Sequence, residues 1–153
     1  MNMLRRNILK GASAASTLAI AAGLFGTGSA FAAYNTAAFS AKSVADALKG
    51  MGASTPAESK DIAIKAPDIA ENGAVVPVEV TSKIAGTTAI AILAEKNPNP
   101  LVASFKLENG AEPYISTRIK MGQTAMIRAV VTAGGKTYTT AKEVKVTIGG
   151  CGG

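Results

Sequence analysis

The chain of 153 residues ends Gly149-Gly150-Cys151-Gly152-Gly153, and the thiol of Cys151, the only cysteine present, is the one functional side-chain group in that tail. Four glycines in five positions form no helix or strand of their own, because glycine loses more backbone freedom on ordering than any other residue. The thiol is therefore expected on a flexible leash. At about 3.3–3.6 Å per extended residue, it stands at most ~10 Å beyond Ile148. With no Cβ atom on either side of the cysteine, such a leash fits a narrow enzyme channel.

What the thiol can do is bounded by what the sequence lacks. There is no histidine, which excludes a Ser-His-Asp triad, a Cys-His dyad, a CxxCH haem attachment and any zinc site with an imidazole ligand. A single cysteine excludes an internal disulfide. A catalytic thiolate needs a base, a positive neighbour or a helix N-terminus, and the tail supplies none of them. The terminal carboxylate of Gly153 acts against the thiolate. Cys151 is thus not expected to be a catalyst, and its activation must come from a protein that receives the tail. Three uses stay open at this point: a carrier thiol loaded and unloaded by other proteins, an intermolecular disulfide, or an incidental thiol. The last is disfavoured, because an unpaired exposed cysteine outside the cytoplasm is reactive. The first two coexist readily, since an idle carrier thiol tends to dimerise. No metal site and no cofactor is expected.

The elements that must position this tail are mostly strands. Ala41, Val44, Leu48 and Met51 recur at helical spacing from Phe39 to Gly50, which predicts one short docking helix with Ser40 as N-cap and Gly50 as its stop. Met51 to Pro56 reads as a linker. Beyond it the period becomes two: Ile62 and Ile64; Val76, Val78 and Val80; Ile90 and Ile92; Leu101, Ala103, Phe105 and Leu107; Ile115, Thr117, Ile119 and Met121; Ile127, Ala129, Val131 and Ala133; and Tyr138, Val144, Val146 and Ile148. Gly134-Gly135 between the last two sets predicts a tight hairpin. Seven or so short strands at such spacing predict an all-β, immunoglobulin-like antiparallel β-sandwich, without the Cys…Trp…Cys signature of true immunoglobulin domains. Pro77 within a strand pattern predicts an edge or a bulge. An exposed sheet edge needs cover, either its own charges or a partner subunit.

Residues 1–10 are short and basic, 11–31 are uncharged and moderately apolar, and Ala30-Phe31-Ala32 sets a cut at Ala33, which is the organisation of a secretory signal. The glycines within the apolar stretch and the absence of a following basic cluster argue against a transmembrane helix. Arg5-Arg6, followed by Asn7-Ile8-Leu9-Lys10, resembles a twin-arginine signal, with Leu4 and Ile8 where serine and phenylalanine are usual. Such export carries folded proteins, which suits co-export with a partner lacking its own signal. Of the net charge of +6, Arg5, Arg6 and Lys10 supply half; the remaining thirteen basic and ten acidic residues leave only +3, too mild and too scattered for nucleic-acid binding. The charged fraction of 17% lies below the usual ~25%, as a mostly β domain behind an apolar export segment requires.

The ending Lys142-Glu143-Val144-Lys145-Val146-Thr147-Ile148-Gly149-Gly150-Cys151-Gly152-Gly153 resembles that of the SoxY family, as do Ile69 to Val78, Ala94-Glu95-Lys96-Asn97-Pro98-Asn99-Pro100-Leu101-Val102, and Ser116-Thr117-Arg118-Ile119-Lys120. The resemblance spans residues 60 to 153. It implies an immunoglobulin-like sandwich paired with SoxZ, a smaller sandwich protein without its own signal. It also implies a carrier rather than an enzyme: thiosulfate is joined oxidatively to Cys151 by the c-type cytochrome SoxAX, giving a Cys–S–sulfonate adduct. SoxB then releases sulfate and leaves a persulfide, which SoxCD oxidises further where that enzyme exists. Gly149, Gly150, Gly152 and Gly153 carry over as the swinging arm. Asn97 to Pro100 reads as a rigid turn, and Arg118 and Lys120 as solvated strand residues.

The expected organisation is a twin-arginine signal over 1–32, an N-terminal helix and linker over 33–56, the sandwich over 57–148 and the arm over 149–153. The expected function is a periplasmic covalent sulfur carrier in thiosulfate oxidation, off the membrane once the signal is removed. The alternative is a structural sandwich module cross-linked through Cys151 by an intermolecular disulfide.

Overall fold

The computed structural model describes residues 35–147; the expected signal over 1–32 and the tail from Ile148 through Cys151 to Gly153 lie outside the described residues. Two short helices, α1 (Thr36–Ser40) and α2 (Val44–Gly50), precede nine strands. These are β1 (Ala57–Glu58), β2 (Ile62–Lys65), β3 (Ile69–Ala70), β4 (Val76–Ser82), β5 (Thr87–Ala94), β6 (Leu101–Lys106), β7 (Tyr114–Ile119), β8 (Ala125–Ala133) and β9 (Lys136–Val146). Among the described residues no helix is long and apolar enough to cross a membrane.

The strands form two sheets. One runs β1-β9-β8-β5-β6, with β3 also on β9, and the other runs β2-β4-β7. The trace maps onto an immunoglobulin-type sandwich: β2, β4 and β7 take the places of strands A, B and E, while β5, β8 and β9 take those of C, F and G, with β6 added beside C. The expected all-β sandwich is therefore present. Alternation explains how it closes: Val76, Val78 and Val80 of β4 face Ile90, Ile92, Ile127, Ala129 and Val131 of the larger sheet, and all eight are fully buried. The hairpin at Gly134-Gly135 is the expected two-residue turn, with φ of 55° and 73°, and Ala133 opposite Lys136.

Three expectations need correction. The helix foreseen from Phe39 to Gly50 is two helices, because Ala41 takes an extended ψ of 141° that breaks the run. Ser40 closes α1, and the cap of α2 is Ser43, whose Oγ accepts from the Asp46 N–H at 3.1 Å. The helix ends at Gly50 as expected, and the residue that reverses the chain is Gly52. Its φ of 72° permits a reverse turn in which Gly52 N–H donates to Lys49 O and Ala53 N–H donates to Leu48 O, at 3.0 and 2.8 Å. Finally, β1 and β3 pair with β9 in parallel, so the large sheet is not wholly antiparallel. Pro77 meets its expectation in part. It lies in the central strand of the small sheet, but pairing with β2 stops at Glu79, so only β7 flanks it.

The helices form a third layer on the outer face of the large sheet. Ala38, Ala41, Ala47, Leu48 and Ala53 pack on Ala91, Leu93, Leu101 and Val130. Strand β5 is consequently buried on both faces, and Ile90 to Ala94 form a continuous apolar run instead of an alternating one. Asn35 ties the layer together: its Oδ1 accepts from Ala38 N–H at 3.1 Å and its Nδ2 donates to Gly50 O at 2.9 Å. Gly50 matters for a second reason, beyond ending the helix. A Cβ there meets the backbone N and Cα of Ala38 at 2.9 Å, and backbone cannot rotate away. Gly50→Val is expected to lower stability by about 1–3 kcal/mol through overpacking. An unchanged denaturation midpoint would show that α1 is free to shift.

Candidate functional site

The described part of the site is the place where the chain leaves the sandwich. Strand β9 is the longest element, paired with β8 from Lys136 to Val144 on one side and with β1 and β3 on the other. Its buried anchor near the exit is Val144, fully enclosed in the inter-sheet core. Two segments then grip its last residues. From the β2–β3 side, Lys145 N–H donates to Asp68 O at 3.0 Å and Thr147 N–H donates to Ala70 O at 3.2 Å. From the β7–β8 side, Val146 N–H donates to the Thr124 hydroxyl at 2.9 Å. The β3–β4 loop is held in turn by Met121 N–H donating to Gly73 O at 2.7 Å, and by Asn72 Oδ1 accepting from Ala74 N–H at 2.8 Å. Lys142 adds a cross-tie, donating to Ala66 O at 2.6 Å and pairing with Asp68 at 3.0 Å.

This collar fixes the backbone up to Thr147. Cys151 and the four glycines of the arm lie outside the described residues, so the site they would form with the collar is defined here only on the sandwich side. Among the described residues no group of three or more acidic, cysteine or histidine side chains is placed to hold a metal.

The other residues singled out by sequence serve the scaffold. Arg118 and Lys120 are exposed at the end of β7 and just beyond it, as solvated strand residues are. The segment Asn97-Pro98-Asn99-Pro100 joins β5 to β6 and works as a clamp rather than a simple turn. Asn97 donates to Lys120 O at 2.7 Å and accepts from Gly122 N–H at 3.1 Å. Asn99 donates to Phe39 O at 2.9 Å and accepts from Lys42 Nζ at 3.1 Å. One loop thus ties both the helical layer and the β7–β8 segment to the large sheet. Beside it Arg128 donates to Glu95 Oε1 at 2.8 Å, and its far nitrogen reaches the buried Thr139 hydroxyl at 3.4 Å.

Sequence reasoning used Ile69 to Val78 for the family resemblance but foresaw neither β3 nor the exposure of Ile69 and Val75. One signal was available: Val75-Val76 interrupts the alternation, and since Val76 points inward, its neighbour must point out.

The class this architecture defines is the small immunoglobulin-like β-sandwich protein. A family model described as sulfur oxidation protein SoxY matches residues 48–151. Among solved structures the chain is similar to the sulfur carrier protein SoxY from Chlorobium limicola f thiosulfatophilum, with 48% identity and a TM-score of 0.61 over 67% of this chain and 94% of that one. It is also similar, at 23% identity and a TM-score of 0.49 over 56% of this chain and 78% of that one, to a superoxide reductase (Neelaredoxin) from Ignicoccus hospitalis, a likeness that carries no functional weight. No curated protein matches. The chain belongs to the SoxY family; it is a carrier protein of sulfur oxidation and not an enzyme.

Proposed function

We propose that this carrier holds its sulfur cargo covalently on the thiol of Cys151, in the periplasm, and presents it to the enzymes of thiosulfate oxidation. The observation that carries this reading is the position of the sole cysteine. It falls four residues after Thr147, the last described residue tied to the collar, with glycine on both sides.

The chemistry balances without any catalytic group on this chain. The thiol loses its proton, Sγ bonds to the outer sulfur of thiosulfate, and two electrons leave for the haem of an oxidising c-type cytochrome, SoxAX by family resemblance. The bridging sulfur then lies between Sγ and the sulfonate. In the next step water supplies its oxygen to the sulfonate sulfur, sulfate departs with release of two protons, and the bridging sulfur stays on Sγ as a persulfide; SoxB fills this role by resemblance. SoxCD would act on the persulfide, and SoxZ would be the stable partner subunit. The glycines at 149, 150, 152 and 153 serve as the arm that lets one thiol visit several active sites.

Intact mass after incubation with thiosulfate and the cognate cytochrome tests this reading. A thiosulfonate or persulfide increment on the peptide containing Cys151 supports the carrier. Only disulfide-linked dimers, with no adduct, would instead support a structural module cross-linked through the same thiol. The location rests on the twin-arginine motif: with Arg5 and Arg6 both replaced by Lys, periplasmic accumulation is expected to fall to background. Undiminished export of that variant would sink the proposed route.

A further inference from the structure

We infer that the collar around Thr147, with Ile69 and Val75 on its rim, is the docking surface for the enzymes that act on Cys151, and that each such enzyme meets it with an apolar channel mouth. The inference rests on the carrier reading above. Cys151 is the fourth residue after Thr147, so the thiol reaches at most about 13–14 Å from the collar. A reacting centre set inside an enzyme is reached only when that enzyme's surface comes closer to the sandwich than this span. Any enzyme that reaches the thiol must therefore cover the surface around Thr147.

That surface is where the apolar exposure lies. Among the described residues the large hydrophobic side chains left exposed are Ile69, Val75 and Tyr114, at 57%, 52% and 41%. Ile69 sits opposite Lys145 on the neighbouring strand, within about 10 Å of Thr147 by strand geometry. Val75 closes the loop that Asn72 and the Gly73–Met121 hydrogen bond hold in place. Two of the three thus fall on one seven-residue segment beside the exit. Tyr114 is at the far end of the small sheet, opposite Thr81, whereas Val76 lies opposite Ile119. Charge does not dominate the collar: Asp68 is paired with Lys142, and Glu71 and Lys145 are both exposed. The attraction is accordingly apolar and weakly salt-dependent.

The test uses the purified carrier complex with Ile69→Glu, Val75→Glu and the double variant, and Tyr114→Glu as the distant control. Adduct formation with thiosulfate and the oxidising cytochrome is followed by intact mass over a range of carrier concentrations. The double variant is expected to lose about ten-fold or more in kcat/KM for the carrier, mainly through KM. Tyr114→Glu should load like the unsubstituted chain. The reaction of Cys151 with a small aromatic disulfide reagent, which needs no docking, should be unchanged in every variant.

Normal loading of the double variant, while the unsubstituted carrier also loads, overturns the docking surface and leaves the carrier reading intact. Absence of any adduct on the unsubstituted carrier overturns both. Loss of the partner subunit from the double variant would assign the patch to the subunit interface and likewise overturn the inference. Should the glutamate variants melt early, Ile69→Ser and Val75→Ser give the same readout with a smaller loss.

Discussion

Replacing Ile92 by alanine is expected to lower the stability of the sandwich by about 2–5 kcal/mol, toward the upper part of that range. Ile92 is fully buried in β5, the strand enclosed by both the small sheet and the helical layer. Its cross-strand neighbours are Ala103 on β6 and Ala129 on β8. Alanine on both sides means that neither side chain directly opposite on the neighbouring strands is long enough to move into the space left by three lost carbons. The cavity therefore stays open, and the cost rises with its volume. Chemical denaturation should show a lower midpoint with an unchanged slope, because the surface exposed on unfolding hardly alters. Ile69→Ala is the contrast, the same type of side chain more than half exposed, and it should change stability little. A loss below about 1 kcal/mol for Ile92→Ala would mean that the two sheets close onto the gap. Rates of Cys151 with a small thiol reagent should be the same in both variants below their melting temperatures, since the core acts on the arm only by keeping β9 in place.

How far the sequence could be read depended on whether an element carried its own periodicity. Strands β4 and β8 alternate, each with one face on the core, and the Val76-Val78-Val80 and Ile127-Ala129-Val131 sets lie where alternation puts them. The Gly134-Gly135 hairpin was legible because positive φ at two successive residues all but demands glycine. The helical layer was blurred for the opposite reason. Its contacts are made by alanines, Ala38, Ala41, Ala47 and Ala53, whose small side chains leave a weak apolar signature, so the break at Ala41 passed unnoticed. Strands β1 and β3 have two residues each, shorter than any period, and exist only because β9 offers a template on that side. In the candidate site, Cys151 stood out as the sole thiol of a chain without histidine and by its place between two glycine pairs, the ending that resembles the SoxY family. The collar did not stand out. It is assembled from residues 68–74, 121–124 and 145–147 through backbone and hydroxyl hydrogen bonds, and such long-range pairing has no local sequence mark.

Alanine at position 151 is expected to remove covalent loading entirely while leaving the folded body unaltered. Loading requires a sulfur atom that can give up a proton and share a bond with the outer sulfur of thiosulfate; a methyl group can do neither, and the chain contains no second cysteine to take over. The variant should show no mass increment after incubation with thiosulfate and the oxidising cytochrome, no thiosulfate-dependent reduction of that cytochrome above background, and no disulfide-linked dimer. Its stability should match that of the unsubstituted chain to within about 0.5 kcal/mol, because the site lies beyond Thr147, the last described residue with a hydrogen bond to the collar. The two readouts separate the possible roles of the tail. An adduct that survives in the alanine variant would move the cargo to another side chain and end the single-thiol reading. Lost loading accompanied by a large fall in stability would instead make Cys151 a packed structural residue, for which neither a glycine-flanked arm nor a docking collar is needed.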